Sequence, residues 1–370
     1  MNNSINIKIQ KASLLDALGK VLSVVQNRNT IEILNNVKLD VEDDKLTITA
    51  TDMDISACES ILVDSEADGT LTINARKLFD IIRKTPDDED IAIRGDADNS
   101  GKVQIKSKGC KFTLPCLKSS DFPIITKDNL PCNFKIAAND FVNIINKTKF
   151  AACTDEGRYS LSGVSLKVLD NNLIATSTNA AKLAKVTMPV ELSNFPNILL
   201  PLKTIATILK IFNNPAIELD IAISDSKIAI TQGGASIISK LIDAKFPDTD
   251  RTFPNILSNE LTINRELLIK TIDRVSLAAD AKKNQITIIV EDGSLIASAK
   301  DTTGEEAEGD IKIESSALTL KRSYNYKFLL EILSNIENEN ITLYFNKKNE
   351  PLYISNKQSC EYYLLMPMHG

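Results

Sequence analysis

Histidine is almost missing from this chain of 370 residues: His369 is the only one. A Ser-His-Asp or Cys-His nucleophilic site would have to be built on a residue next to the last position, and histidine is the usual base near neutral pH. Zinc sites are equally poorly supplied, because the six cysteines (Cys58, Cys110, Cys116, Cys132, Cys153 and Cys360) contain no C-x-x-C pair. Those cysteines read as reduced and mostly buried. Also absent are an H-E-x-x-H motif, a nucleophile elbow and a glycine-rich phosphate loop. No stretch of 18 or more apolar residues exists to span a membrane. Residues 1–10 alternate polar and apolar side chains with no apolar run, so no secretion signal is visible and a cytoplasmic location is expected. Neither a metal nor a cofactor is expected.

What the chain does have is a threefold repeat. INIKIQKASLLDAL (residues 5–18), NFKIAANDFVNII (133–145) and ELTINRELLIKTI (260–272) each pass from strand alternation to helical spacing. Ile7, Phe134 and Leu261 are 127 apart, as are Leu14, Phe141 and Leu268, and Leu18, Ile145 and Ile272. A second strand-to-helix unit follows about 65 residues later in each copy: LTINARKLFDII (71–82), ILLPLKTIATIL (198–209) and NYKFLLEIL (325–333). Between the helices lie three hairpins, 37–52, 164–178 and 286–300, turning at 42–44, 170–172 and 291–293. Each copy closes on an aromatic or methionine before proline: Phe122–Pro123, Phe246–Pro247 and Met366–Pro367. Three domains follow, 1–128, 129–255 and 256–370, each α+β, with antiparallel sheets and helices to one side.

The charge is unevenly placed. The six expected helices (11–28, 74–84, 137–149, 201–212, 264–281 and 321–333) hold seventeen Lys and Arg against seven Asp and Glu, although the net charge is −6. Basic helices facing one way would bind phosphates without reading bases. The bland explanation is that Lys and Arg favour helices while turns favour Asp and Asn. The acidic run Asp87–Asp88–Glu89–Asp90, after Pro86 and before IAIRG, reads as a solvated turn rather than a metal cluster, and Glu305, Glu306 and Glu308 as an exposed loop.

RYSLSGVSLKV (158–168), KFPD (245–248) and YYLLMPM (362–368) together resemble the bacterial DNA polymerase III beta subunit family, the sliding clamps, and the repeat extends that resemblance over the whole chain. The resemblance implies three repeated clamp domains per chain, sheets outside and helices lining the inside of a head-to-tail dimeric ring. The ring would encircle duplex DNA without reading its sequence and act as a processivity factor, not an enzyme. It would recruit the replicative polymerase catalytic subunit, the clamp loader and other proteins bearing a clamp-binding peptide. Positions matching the family's DNA contacts are Arg28, Arg76, Lys77, Tyr159 and Lys203. Those matching its peptide cleft are Leu161, Thr178, Leu183, Pro247, Arg251, Thr252, Leu364, Met366, Pro367 and Met368. Those matching the dimer interface are Phe112 and Leu114, with Leu277 and Ala278 as partners. Methionine's adaptable side chain suits varied peptide anchors.

Where the family has Asp-Gly-His-Arg-Leu, this chain has Asn179–Ala180–Ala181–Lys182–Leu183, and loss of the histidine together with the exchange of Arg for Lys is expected to alter one wall of the cleft. The His369–Gly370 ending departs from the family's basic tail. Two other readings are a clamp-like DNA scaffold outside replication, which would lack the cleft, and a carboxylate-dependent hydrolase, which would need convergent acids in a pocket.

Overall fold

The structure is a computed structural model. It describes residues 4–368 except 27–29, 97–99, 193–194, 213, 215–216, 254–257, 314–317, 347–349 and 356–359, with only the backbone of residue 156.

Six α-helices punctuate the described strands: α1 Lys11–Val21, α2 Ala75–Lys84, α3 Ala138–Lys149, α4 Leu202–Ile211, α5 Arg265–Val275 and α6 Tyr326–Ser334. The repeat is written into their packing. In α1, Leu14, Ala17, Leu18 and Val21 are buried; in α5 the same stations are Leu268, Thr271, Ile272 and Val275. This is the i, i+3, i+4, i+7 stripe that seats a helix on a core. Asn74, Asn264 and Asn325 cap α2, α5 and α6, their side chains accepting the backbone N–H of Lys77, of Leu267, and of both Lys327 and Phe328. Each cap satisfies donors that a helix start leaves open, about 1 kcal/mol apiece.

The last helix begins later than its sequence spacing suggests. Residues 320–325 form the strand Leu320–Asn325, so Lys321 and Arg322 lie outside a helix, and α1 stops at Val21 rather than reaching residue 28. The helices then hold fourteen Lys and Arg against six Asp and Glu, so a basic surplus survives. The expected Glu305–Glu308 loop is corrected too: Glu306–Lys312 is a strand. Of the acidic run, Asp87–Glu89 form the connection and Asp90 opens the strand Asp90–Asp96, with Lys11 paired to Asp87 and Lys8 to Asp90.

The three hairpins turn through residues at positive φ: Asp43 and Asp44, Asp170 and Asn171, Asp292 and Gly293. Two consecutive left-handed residues make the tight turn whose twist matches antiparallel strands, and Asp, Asn and Gly tolerate it best.

By contact the chain divides into two compact units, residues 1–142 with 203–241, and residues 143–202 with 242–370. All three boundaries fall inside the middle repeat, and strand pairing explains why. The first unit holds a 13-stranded sheet in which Ile55–Leu62 of the first repeat pairs with Ala235–Lys240 of the middle one. The second holds an eight-stranded sheet in which Lys182–Pro189 of the middle repeat pairs with Glu361–Leu365 of the third, beside a four-stranded sheet ending at Glu306–Lys312. Each seam thus joins the third strand of one repeat's early half to the last strand of the next repeat's late half.

All six cysteines are free thiols, but only Cys116 and Cys153 are buried. Cys110 and Cys360 are exposed, against expectation. Cys110 opens the strand Cys110–Leu117 immediately after a two-residue hairpin turn, and Cys360 immediately precedes the strand Glu361–Leu365.

Candidate functional site

All ten positions expected to form a peptide cleft fall in the second compact unit. Leu183 stands directly opposite Leu364 across the seam. With Tyr344 and Tyr353 they make a small buried apolar cluster, against which Phe253 packs. Tyr353 donates its hydroxyl to the Thr252 carbonyl at 2.9 Å, fixing the short turn Asp250–Thr252 over this floor. The turn is held from below as well, since Asp250 accepts from Lys167 at 2.6 Å and Lys185 at 3.2 Å. The hydrogen bond from Lys167, seconded by Lys185, keeps the Asp250 carboxyl below the usual carboxylate range. Arg251 is left pointing into solvent, and Pro247 is exposed.

The C-terminal segment is tied by alternate backbone groups. The Met366 N–H donates to Ala181 and the Met368 N–H to Ser323, both at 2.8 Å. Met366 remains 40% exposed. Pro367 and Met368 are half-buried, as is Leu161 at the end of the turn Glu156–Leu161. A tethered strand carrying a bare methionine beside an apolar floor is a surface that can accept apolar side chains of a peptide.

Two sequence expectations change meaning here. Thr178 is buried, and its hydroxyl is consumed locally: it donates to the Lys182 carbonyl at 2.7 Å and accepts from the Ala180 N–H at 3.0 Å. Thr51, 127 residues earlier, does the same with Ile55 and Met53. The threonine therefore closes a turn in both repeats. Lys182 is not a cleft wall. It precedes Leu183 on a strand whose side chains alternate, so it projects to the opposite face. There it is buried, its ammonium 5.2 Å from the Phe150 ring centroid and 4.9 Å from that of Phe328, and ion-paired to Glu331. A cation between two rings keeps its charge with little water.

The two seams differ in a way that confines the apolar floor to one of them. The pair equivalent to Leu183–Leu364 at the first seam is Ser56–Ile238, and Lys240, at the Met366 position, is ion-paired to Asp54. Asp52–Asp54 and Asp248–Asp250 have spacing reminiscent of metal ligands, but each carboxylate is taken up by a cation: Lys203, Lys240, Arg251, and the Lys167–Lys185 pair.

The expected DNA contacts divide by environment. Arg28 lies outside the described residues. Arg76 and Lys77 are exposed on the first turn of α2, Arg76 also donating to the Val25 carbonyl at 3.2 Å. Tyr159 is exposed, in the other compact unit. Lys203 is half-buried and ion-paired to Asp52, whose side chain is only 3% exposed, so its charge is already engaged. Other helix cations are also structural: Lys11 donates to the Thr85 carbonyl, Arg265 to those of Asn338 and Leu333, and Lys147 to Glu361. Lys84 and Lys210 are exposed with no ion pair among the described residues.

Phe112 sits on the strand Cys110–Leu117 and is 38% exposed; Leu114 is half-buried. Leu277, 84% exposed, belongs with Ala278 to a short turn that follows α5 and packs beside the edge strand Glu306–Lys312. Sequence reasoning missed Tyr344, Tyr353 and Phe253: the tyrosines lie on strands whose seam-facing side the sequence did not assign, and Phe253 lies just past the turn Asp250–Thr252 rather than on a strand.

Residues 5–126, 135–248 and 250–369 match, in order, the N-terminal, central and C-terminal domain families of the DNA polymerase III beta subunit. The chain is 30% identical over 369 residues to a beta sliding clamp of Caulobacter vibrioides, covering 98% of this chain and 99% of the other. A beta sliding clamp of Rickettsia felis is 31% identical over 376 residues, with 97% and 98% covered. Among solved structures, a Caulobacter crescentus beta sliding clamp superposes with a TM-score of 0.96 at 29% identity, covering all of both chains. A Pseudomonas aeruginosa sliding clamp bound to griselimycin gives 0.93 at 28% identity, covering 99% of this chain and all of that one.

Proposed function

Because the chain belongs to the DNA polymerase III beta subunit family, and is thus a processivity factor rather than an enzyme, we propose that two copies close head to tail into a ring around duplex DNA. The observation that carries this is the repeated seam. At the first, Ala57 faces Ile237; at the second, Ala184 faces Tyr363. A small residue on the early half meets a large one on the late half.

One chain carries one more of each half. Ala307 lies opposite Ala299 on the outer strand Glu306–Lys312, as Ala57 lies opposite Ala50, and Phe112 is the third residue of its strand, as Ile237 is of its own. Carrying the register over sets Ala307 against Phe112 of a second copy, and Glu308 against its Lys111. Glu306, Glu308 and Asp310 on one edge oppose Lys106, Lys108 and Lys111 of the other hairpin, so attraction selects unlike edges. The exposed Leu277, with Ala278, flanks the same edge and would cover Phe112 and Leu114.

Arg76, Lys77 and Tyr159, with Arg28, then contact the DNA backbone from the helix side, weakly enough to slide. Lys203 contributes chiefly by neutralising Asp52. The cleft around Leu183, Leu364 and Met366 takes the peptides of the polymerase, the clamp loader and other clients in the cytoplasm. A clamp-like scaffold without such a cleft is disfavoured by the apolar floor present at only one of the two internal seams.

The test is topological. Loaded on nicked circular DNA, the protein should stay bound through gel filtration in moderate salt, and leave when the DNA is linearised. Equal retention on both forms would mean gripping rather than encircling.

A further inference from the structure

A hollow of about 950 Å³ lies on the first compact unit, whereas the proposed peptide cleft belongs to the second. That is the size of sites that hold small organic ligands. It is bounded by α1, by Phe79 of α2, by the end of α4 and by the hairpin turn between Gln232 and Ala235.

Two buried polar atoms of its lining residues have no hydrogen-bond partner among the described residues: Oε2 of Glu59 and Nε2 of Gln232. Glu59 is 8% exposed, and only its other oxygen is used, accepting from Lys20 at 3.0 Å. Leaving such groups unpaired costs about 1–3 kcal/mol each. Strand register fixes their relation. Glu59 is opposite Ala235, and Ala235 is opposite Gln232, so the three stand in one row on one face. With strands about 4.8 Å apart, the two backbones are about 10 Å apart, and only the Ala235 methyl lies between them. An acceptor and a donor that lack partners among the described residues thus stand on either side of the small Ala235 side chain.

The other seam shows that the fold can satisfy a carboxylate in this region. Lys147, 127 residues after Lys20, donates to Oε1 of Glu361 at 2.5 Å, and Tyr363 donates to its Oε2 at 3.2 Å. A third feature is Gly19, within α1. It has no left-handed backbone, and a Cβ added there would meet nothing within 4 Å. Glycine inside a helix costs about 1 kcal/mol relative to alanine, and nothing in the packing requires it; what it does is keep this wall of the hollow open.

We propose that this hollow binds a small molecule bearing a primary carboxamide on an apolar body. The amide N–H would donate to Glu59, its carbonyl would accept from Gln232, and the body would lie on Leu15, Phe79 and Ile211. A carboxylic acid is repelled by Glu59. A simple amine answers Glu59 but leaves Gln232 without an acceptor.

The experiment titrates the full-length, methyl-labelled protein with benzamide, benzoate and benzylamine, following the Leu15 and Ile211 methyl signals by NMR. Benzamide should shift them saturably, with a dissociation constant of about 1 mM, ordinary for a fragment of that size. Benzoate and benzylamine should bind at least about tenfold more weakly. Gly19→Leu should abolish the shifts without lowering Tm, and Gln232→Leu should weaken benzamide about tenfold while leaving benzylamine unchanged. No benzamide shift, equal binding of benzoate, or full binding by Gly19→Leu would overturn the proposal.

Discussion

Ala184 stands opposite Tyr363 where the middle repeat meets the third, and the tyrosine ring, 1% exposed, packs 6.0 Å from that of Phe150. Small against large is also the rule at the first seam, where Ala57 faces Ile237. A seam built this way is specific. A large residue on both strands would force them apart, and a small one on both would leave a cavity, each costing about 1–3 kcal/mol or more.

Backbone strain offers a simple check beside the cleft. Ala180 adopts φ of 74° in the turn where Thr178 and Asn179 hold the chain. Left-handed backbone costs a residue with a Cβ about 1 kcal/mol relative to glycine. Ala180→Gly should therefore raise stability slightly, by up to about 1 kcal/mol, in urea unfolding. A loss of stability would mean that the methyl packs rather than strains.

Lys203 should act on stability more than on DNA. Burial alone would push the Asp52 carboxyl up, but hydrogen bonds from Lys203 and from the Ile55 and Asp54 N–H groups outweigh it and hold the carboxyl below its ordinary value. A group whose folded value is depressed contributes stability that is complete above its unfolded value, near 4, and is lost as pH falls through the folded value. Lys203→Ala should cost about 2 kcal/mol at pH 7, less than a fully buried pair because Lys203 is partly solvated. Its acid limb below pH ~4 should be shallower than that of the parent. Unchanged Tm and an unchanged acid limb would show Asp52 to be satisfied without it.

At the cleft, Met366→Ala and Leu183→Ala should each weaken a fluorescent peptide ending in Leu-Phe by about 1–3 kcal/mol. Lys182→Arg should leave the affinity within about twofold, because its side chain lies on the other face of the strand. An effect of Lys182→Arg as large as that of Met366→Ala would return that residue to the cleft wall.

Much of this molecule was legible from the sequence because it is written three times. The repeat located the starts of the first five helices, though not that of α6, which begins at Tyr326 after a strand, and the turn residues at 43–44, 170–171 and 292–293 marked the hairpins. What it did not carry was the partner of each polar side chain. Charge counting treated Lys11, Lys147, Lys203 and Arg265 as free cations, and tertiary contacts bind each of them. The displacement of Lys182 was readable from alternation once Leu183 was assigned to the cleft. Tyr344 and Tyr353 face one another across a local hairpin, but their meeting with Leu183 depends on the pairing of Lys182–Pro189 with Glu361–Leu365, strands distant in sequence.

Arg76→Glu with Lys77→Glu should reduce retention on circular DNA and flatten its salt dependence, since each lost phosphate contact lowers the slope by about 0.9. The solution mass should stay the same, as both residues sit on the first turn of α2 and make no ion pair among the described residues. Retention equal to the parent's at moderate salt would remove these residues from the DNA face.

Closure of the ring is tested most directly by light-scattering mass with the charges across the third seam exchanged. The parent should give about 81 kDa, twice the 40.7 kDa chain. Lys111→Glu or Glu308→Lys alone should weaken the dimer about tenfold or more, by placing like charges opposite, and the double variant should recover it. A parent that stays at 40.7 kDa at every concentration, or a double variant no better than either single one, would contradict the proposed pairing of Cys110–Leu117 with Glu306–Lys312.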